Sequence, residues 1–169
     1  MNSMAYEQEK GKKPIEDIIG EYLIENKLTI ATAESCTGGL LAGRLINYPG
    51  ISSAFLEGMV TYSNDAKHKR LGVKEETLKR YGAVSRETAI EMARGAADAA
   101  GTDIGVSTTG IAGPGGGTDE KPVGLVYIGL CINDRTSCIE LRLSGHRQQV
   151  RCAAVERALE FLKTQLMGI

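Results

Sequence analysis

Residues 29–41 read TIATAESCTGGLL. The first half belongs to a short β-capable run, LTIATA, suited to a buried strand. Leu40, Leu41, Ala42, Leu45 and Ile46 then recur at helical spacing, and NYPG at 47–50 ends that helix. Between the two lies a turn of small residues, Glu34, Ser35, Cys36 and Thr37, followed by Gly38 and Gly39. A buried strand that passes into a helix through a small-residue turn is the building unit of α/β folds.

Reading outward extends the pattern. Toward the N-terminus, Ile15, Ile18, Ile19, Tyr22 and Leu23 mark an amphipathic helix to about Asn26, with Pro14 suited to its first turn. Residues 1–13 are polar, charged and without periodicity, and are expected to form a tail. Toward the C-terminus, AFLEGMVTYS reads as a strand with Phe55, Val60 and Tyr62 as β-formers. NDAKHKRLG reads as a short helix starting at Asn64 or Asp65 and stopping at Gly72, and KEETLKRYG as another. Ser85 can cap a helix that ends at Gly101. DIGVSTTGIAG is a strand entering a loop, and GPGGGTDEKP continues that loop. VGLVYIGLCI and SCIELRLSG flank NDRT as a hairpin, and a last helix runs from Gly145 to about Leu166. The order α-β-α-β-α-α-α-β-β-β-α predicts a three-layer α/β/α sandwich with a mixed β-sheet, a single domain over 14–169.

Composition agrees with this class and limits the others. The 169 residues are 42% hydrophobic but only 5% aromatic, with no Trp, so alanine, glycine and aliphatic side chains must build the core. The net charge of −1 offers no bulk attraction to nucleic acid or membrane. The four cysteines, at 36, 131, 138 and 152, lack metal spacing to each other and to the two histidines. Reduced thiols, no secretory pattern and no run long enough to span a bilayer lead to the expectation of a cytoplasmic protein. The alanine-rich helices and apolar last helix lead to that of a homo-oligomer.

The turn at 34–39 admits two readings. Ser35 or Thr37 can cap the following helix. Alternatively Ser35 is a nucleophile, with the N–H groups near Thr37 to Gly39 holding an oxyanion or phosphate. Cys36 is either a thiol nucleophile at a helix start or a buried filler. A serine nucleophile needs a base, and Lys67 of VTYSNDAKHKR is a candidate if burial lowers its pKa; a solvated helix face explains the same lysine. GIAGPGGGT fails both the Walker A and the dinucleotide-fold patterns. Arg147 stands in the first turn of the last helix, where it opposes the dipole, so it either holds an anionic ligand group or pairs with an acid.

Taken in order, AESCTGG, TYSNDAK, GAVS, GIAGPGGGTDEKPVG and GHR resemble the C-terminal domain family of the competence/damage-inducible protein CinA, over about residues 15–165. That family includes stand-alone nicotinamide-nucleotide amidohydrolases of the PncC type, and the chain is similar to this single-domain form. The resemblance implies hydrolysis of the carboxamide of nicotinamide mononucleotide, by a serine and a lysine, with no metal and no cofactor. It implies Ser35 as nucleophile, Lys67 as base and Tyr62 as a third catalytic side chain. Cys36, Thr37, Gly38, Gly39, Asn64, Thr109, Gly110, Gly113 and Arg147 are then expected around the nucleotide. A regulatory module that binds a nucleotide without turning it over is the alternative.

Overall fold

A computed structural model describes residues 13–168. All but the last residue of the expected tail lies outside the described residues. The elements are α1 (Ile15–Glu25), β1 (Ile30–Glu34), α2 (Leu40–Leu45), a 3₁₀ turn (Ile51–Ser53), β2 (Phe55–Val60), α3 (Asn64–Leu71), α4 (Glu75–Tyr81), α5 (Arg86–Ala100), β3 (Ile104–Gly110), β4 (Leu125–Ile132), β5 (Arg135–Arg142) and α6 (Arg147–Met167). Their order is the expected one. Among the boundaries that differ, β5 begins at Arg135, inside the NDRT expected as the turn. Tyr62 falls beyond β2, and α6 begins at Arg147 because His146 is its N-cap, in a reciprocal box with Gln149.

The five strands lie in the order β2-β1-β3-β4-β5. β1 runs parallel to both β2 and β3, while β3, β4 and β5 are joined antiparallel. The sheet is therefore mixed. Asn133 and Asp134 make the β4–β5 turn with φ of 46° and 66°, the left-handed pair that a two-residue hairpin needs. Cys131 and Cys138 sit on facing strands of that hairpin, and all four cysteines are free thiols.

Both faces of the sheet are covered, but differently. On one face α1, α2 and α6 bury Ile19, Leu23, Leu41, Leu45, Val150, Leu159 and Leu162 against Ile30, Val106, Ile128 and Leu130. Each such aliphatic side chain contributes about 1.5–3 kcal/mol by leaving water. The other face meets α5 through small residues, including Ala31, Ala33 and Ala96. A β-carbon on Gly105 would come within 1.9 Å of the Ala93 carbonyl, and one on Gly129 within 2.2 Å of the Ala89 carbonyl. α5 thus lies almost on the strand backbones, which the scarcity of aromatic residues and the abundance of alanine permit.

β1 feeds β2 on one side of itself and has β3 on the other. The carboxyl ends of all three parallel strands open on one edge. The turn at 35–39, residues 61–63 and the glycine-rich loop at 111–124 gather there, where open α/β sheets take their ligands.

Candidate active site

Neither Ser35 nor Thr37 caps α2. Glu34, the last residue of β1, does so from behind the turn. Its Oε2 accepts from the amides of Gly39 and Leu41, both at 3.0 Å, and its Oε1 from Ala42 at 2.8 Å. Thr37 Oγ1 donates to the same carboxylate at 2.5 Å and also meets Thr108 Oγ1 at 2.6 Å. Glu34 is buried, and these four donors together with the helix dipole offset the loss of its hydration. Gly38 and Gly39, with φ of +60° and +96°, let the chain double back over the carboxylate. Gly39 is committed to Glu34, so the expected amide cradle narrows. The amides of Cys36, Thr37 and Gly38 have no hydrogen-bond partner among the described residues.

With capping assigned to Glu34, the Ser35 hydroxyl is left with one partner among the described residues. Lys67 Nζ donates to Ser35 Oγ at 3.1 Å. The serine is held on the strand end because its amide continues the ladder to Thr108 O at 2.9 Å.

Lys67 is not on a solvated face. It lies one turn into α3, and of that helix only Lys67 and Leu71 are buried. Its side chain is 0% exposed. Ser63, whose hydroxyl accepts from Ala66 N at 3.1 Å, starts α3 so that this position points under the strand ends. Nζ also donates to the carbonyls of Thr61 at 2.8 Å and Tyr62 at 3.4 Å. No carboxylate pairs with it among the described residues. Burial without a counter-charge lowers its pKa from 10.5 to about 8. About a tenth of the lysine is then neutral at pH 7. A neutral amine has two N–H donors and one lone pair. Two carbonyls to receive the donors and one hydroxyl to face the lone pair are what surrounds Nζ.

A cavity of about 600 Å³ adjoins this edge, lined by Ala112, Pro114, Val123, Gly145, Arg147 and Arg151 among others. Arg147 spans it. Its Nη1 donates to Gly113 O at 2.9 Å and its Nη2 to the Tyr62 hydroxyl at 3.2 Å. Arg151, one turn further along α6, donates from Nε to Cys36 O at 3.1 Å and from Nη2 to Thr37 O at 2.8 Å.

The remaining expected residues divide. Arg147 lines the cavity, and Gly113 supplies the carbonyl that its Nη1 meets. Tyr62 presents its carbonyl to Lys67, but the residue is 63% exposed and its hydroxyl accepts from Arg147, so that hydroxyl does not join the serine and lysine. Asn64 is exposed and lines a separate shallow cleft with Asp65, His68 and Glu75. Thr109 is buried and donates to Ala83 O at 2.7 Å, which ties down the GAVS loop and turns the hydroxyl away from the cavity. Gly110 allows β3 to pass the start of β4, where a β-carbon would lie 2.6 Å from Leu125 O. Cys36 points into the aliphatic core, and burial pushes its thiol up to about 11, which removes the thiol as nucleophile at neutral pH. Glu34 and Arg151 are the residues that sequence reasoning missed. Their partners are mostly backbone groups, and Arg151 lies 115 residues from Cys36. Among the described residues no group of three or more His, Cys, Asp or Glu side chains converges to hold a metal. No helix among them is long and apolar enough to cross a membrane.

Comparison with known proteins gives one consistent answer. Residues 12–166 match the family described as the CinA C-terminal domain. A competence-damage inducible protein of Clostridium acetobutylicum is 63% identical over 159 residues, covering 94% of this chain and 39% of its own length. One from Clostridium novyi is 63% identical over 157 residues, 93% of this chain and 38% of its own. The chain thus spans about two fifths of the length of these curated relatives. Among solved structures, a competence/damage inducible protein from Agrobacterium tumefaciens superposes with a TM-score of 0.83 at 45% identity, covering 92% of this chain and 96% of the other. A CinA superfamily protein from Escherichia coli gives 0.86 at 36% identity, covering 89% and 88%.

Proposed function

The chain belongs to the CinA C-terminal domain family, and on that premise we propose that it hydrolyses the carboxamide of nicotinamide mononucleotide to nicotinate mononucleotide and ammonia. The observation that carries the proposal is the buried Lys67 amine, without a counter-ion among the described residues and 3.1 Å from Ser35 Oγ. Neutral Lys67 takes the Ser35 proton as Oγ attacks the amide carbon. The amides left free in the turn receive the oxyanion. As the tetrahedral adduct collapses, the Lys67 ammonium returns the proton to the nitrogen that leaves as ammonia, and an acyl-serine remains. Water adds to the acyl carbon, Lys67 takes its proton, and the carboxylate departs as Ser35 is reprotonated.

The substrate's chemistry suits this pair. The pyridinium withdraws electrons from the carbonyl, and its charge near Nζ favours the neutral amine. The phosphate matches the guanidinium of Arg147 in the adjoining cavity. The test is ammonia release from nicotinamide mononucleotide, nicotinamide riboside and nicotinamide, with wild type and Ser35→Ala. The nucleotide is expected to turn over best, and Ser35→Ala to lower kcat by about 10⁴-fold or more. Binding of the nucleotide by calorimetry with no ammonia from the wild type would instead assign the non-catalytic module.

A further inference from the structure

Arg151 has no role in the steps above, yet it grips the turn that carries Ser35. Its Nε and Nη2 hold two successive carbonyls, Cys36 O and Thr37 O, while Nη1 donates to Gln148 Oε1 at 3.2 Å. Among the described residues it has no carboxylate partner. In a trans peptide, a carbonyl and the N–H of the next residue point to opposite sides. Drawing the Cys36 and Thr37 carbonyls onto Arg151 therefore turns the Thr37 and Gly38 amides away from it. These are amides with no partner among the described residues. Of the flanking amides, Cys36 N is likewise without a partner among the described residues, and the others are occupied. Ser35 N bonds Thr108 O, Gly39 N bonds Glu34, and Leu40 N bonds Thr37 O. Gly38 fits the same arrangement, since a β-carbon there would lie 3.2 Å from Arg151 Nη2 and press on the guanidinium.

We infer that Arg151 is a positioning residue, whose two-pronged grip on the Cys36 and Thr37 carbonyls sets the peptide planes that present the Thr37 and Gly38 amides to the oxyanion formed at Ser35. A guanidinium on the carbonyl side also polarises each peptide group and makes its N–H a stronger donor. The inference rests on the Ser35 reading of the site. It assigns Arg151 to the chemical step and not to holding substrate.

The experiment uses a fluorophosphonate probe, which needs no nicotinamide. Ser35 Oγ attacks phosphorus, fluoride leaves, and the serine proton passes to Lys67. Labelling rates are read by intact mass for wild type, Arg151→Gln and Arg151→Lys, each checked for a cooperative melt. Arg151→Gln is expected to label Ser35 about 10²-fold more slowly, the cost of disturbing oxyanion donors. Arg151→Lys, able to hold one carbonyl at a time, should recover about tenfold of that. The pH midpoint of labelling should not move, because Lys67 is untouched. In ammonia release, kcat should fall with KM unchanged, and equally for nucleotide and riboside. Wild-type labelling rates in both variants would overturn the inference, whether or not their melting temperatures fall. A KM rise confined to the phosphorylated substrate would also overturn it and make Arg151 an anion ligand. An unlabelled wild-type Ser35 would remove the reactive turn and the inference with it. A labelled wild type that releases no ammonia would contradict the amidase reading alone.

Discussion

Two buried charged side chains stand at the same edge of the sheet and are treated in opposite ways. Glu34 is saturated, with three backbone amides and the Thr37 hydroxyl on its carboxylate. Lys67 is equally buried but, among the described residues, its amine bonds only two carbonyls and a serine hydroxyl. A buried charge whose bonds are all supplied by the chain serves the fold. One left without a counter-charge is held at a cost to stability, and such costs concentrate where chemistry is done. On that difference we propose that Glu34 serves the fold and Lys67 the chemistry.

Replacing each member should therefore break different things. Of the two, Lys67→Met is expected to have the larger effect on activity, lowering kcat by about 10³–10⁴-fold. It should not lower the melting temperature. Because its folded pKa, about 8, lies below the unfolded value, Lys67 weakens the fold most below pH 8. That penalty, up to about 3 kcal/mol, fades as pH rises from 8 to 10.5. The stability advantage of Lys67→Met over wild type, from denaturant melts, should shrink through that same window. A variant less stable than wild type at pH 7 would show that Lys67 is structural after all.

Glu34→Ala should do the reverse. It leaves the Gly39, Leu41 and Ala42 amides without their acceptor, at about 3 kcal/mol, measurable by urea unfolding. Glu34→Gln keeps an acceptor and should cost less than half as much. If either variant lost activity by the margin of Lys67→Met while remaining fully stable, the contrast between the two sites would fail. The smallest effect belongs to Cys36→Ala. Its thiol lies in the aliphatic core and stays protonated at neutral pH. Ammonia release should remain within about threefold, with about 1 kcal/mol of stability lost to the small cavity. A loss of several orders of magnitude would return the thiol to candidacy.

Much of this was legible in the sequence because it is local. The spacing of Leu40, Leu41 and Leu45, the Ser85 cap and the hairpin around NDRT each follow from neighbouring residues. The site was legible only in outline. α3 is so polar that Lys67 resembles its solvated neighbours Lys69 and Arg70, and only the placement of α3 under the strand ends buries it. The choice of Glu34 over Ser35 and Thr37 as the cap of α2 depends on two left-handed glycines folding the turn back. Thr109 and Asn64 have the right composition for a pocket, but one hydroxyl is taken by Ala83 and the other side chain sits over a different cleft. Arg151 could not be found by spacing, because its partners are backbone carbonyls on the far side of the chain.

The central claim is that neutral Lys67 activates Ser35. The most direct measurement is the pH dependence of kcat/KM for ammonia release from nicotinamide mononucleotide, between pH 5.5 and 9.5. The expected profile rises about tenfold per pH unit and levels off near pH 8, as the free lysine loses its proton. A rate that is flat across this range, or a rise that persists unchanged in Lys67→Met, would contradict it.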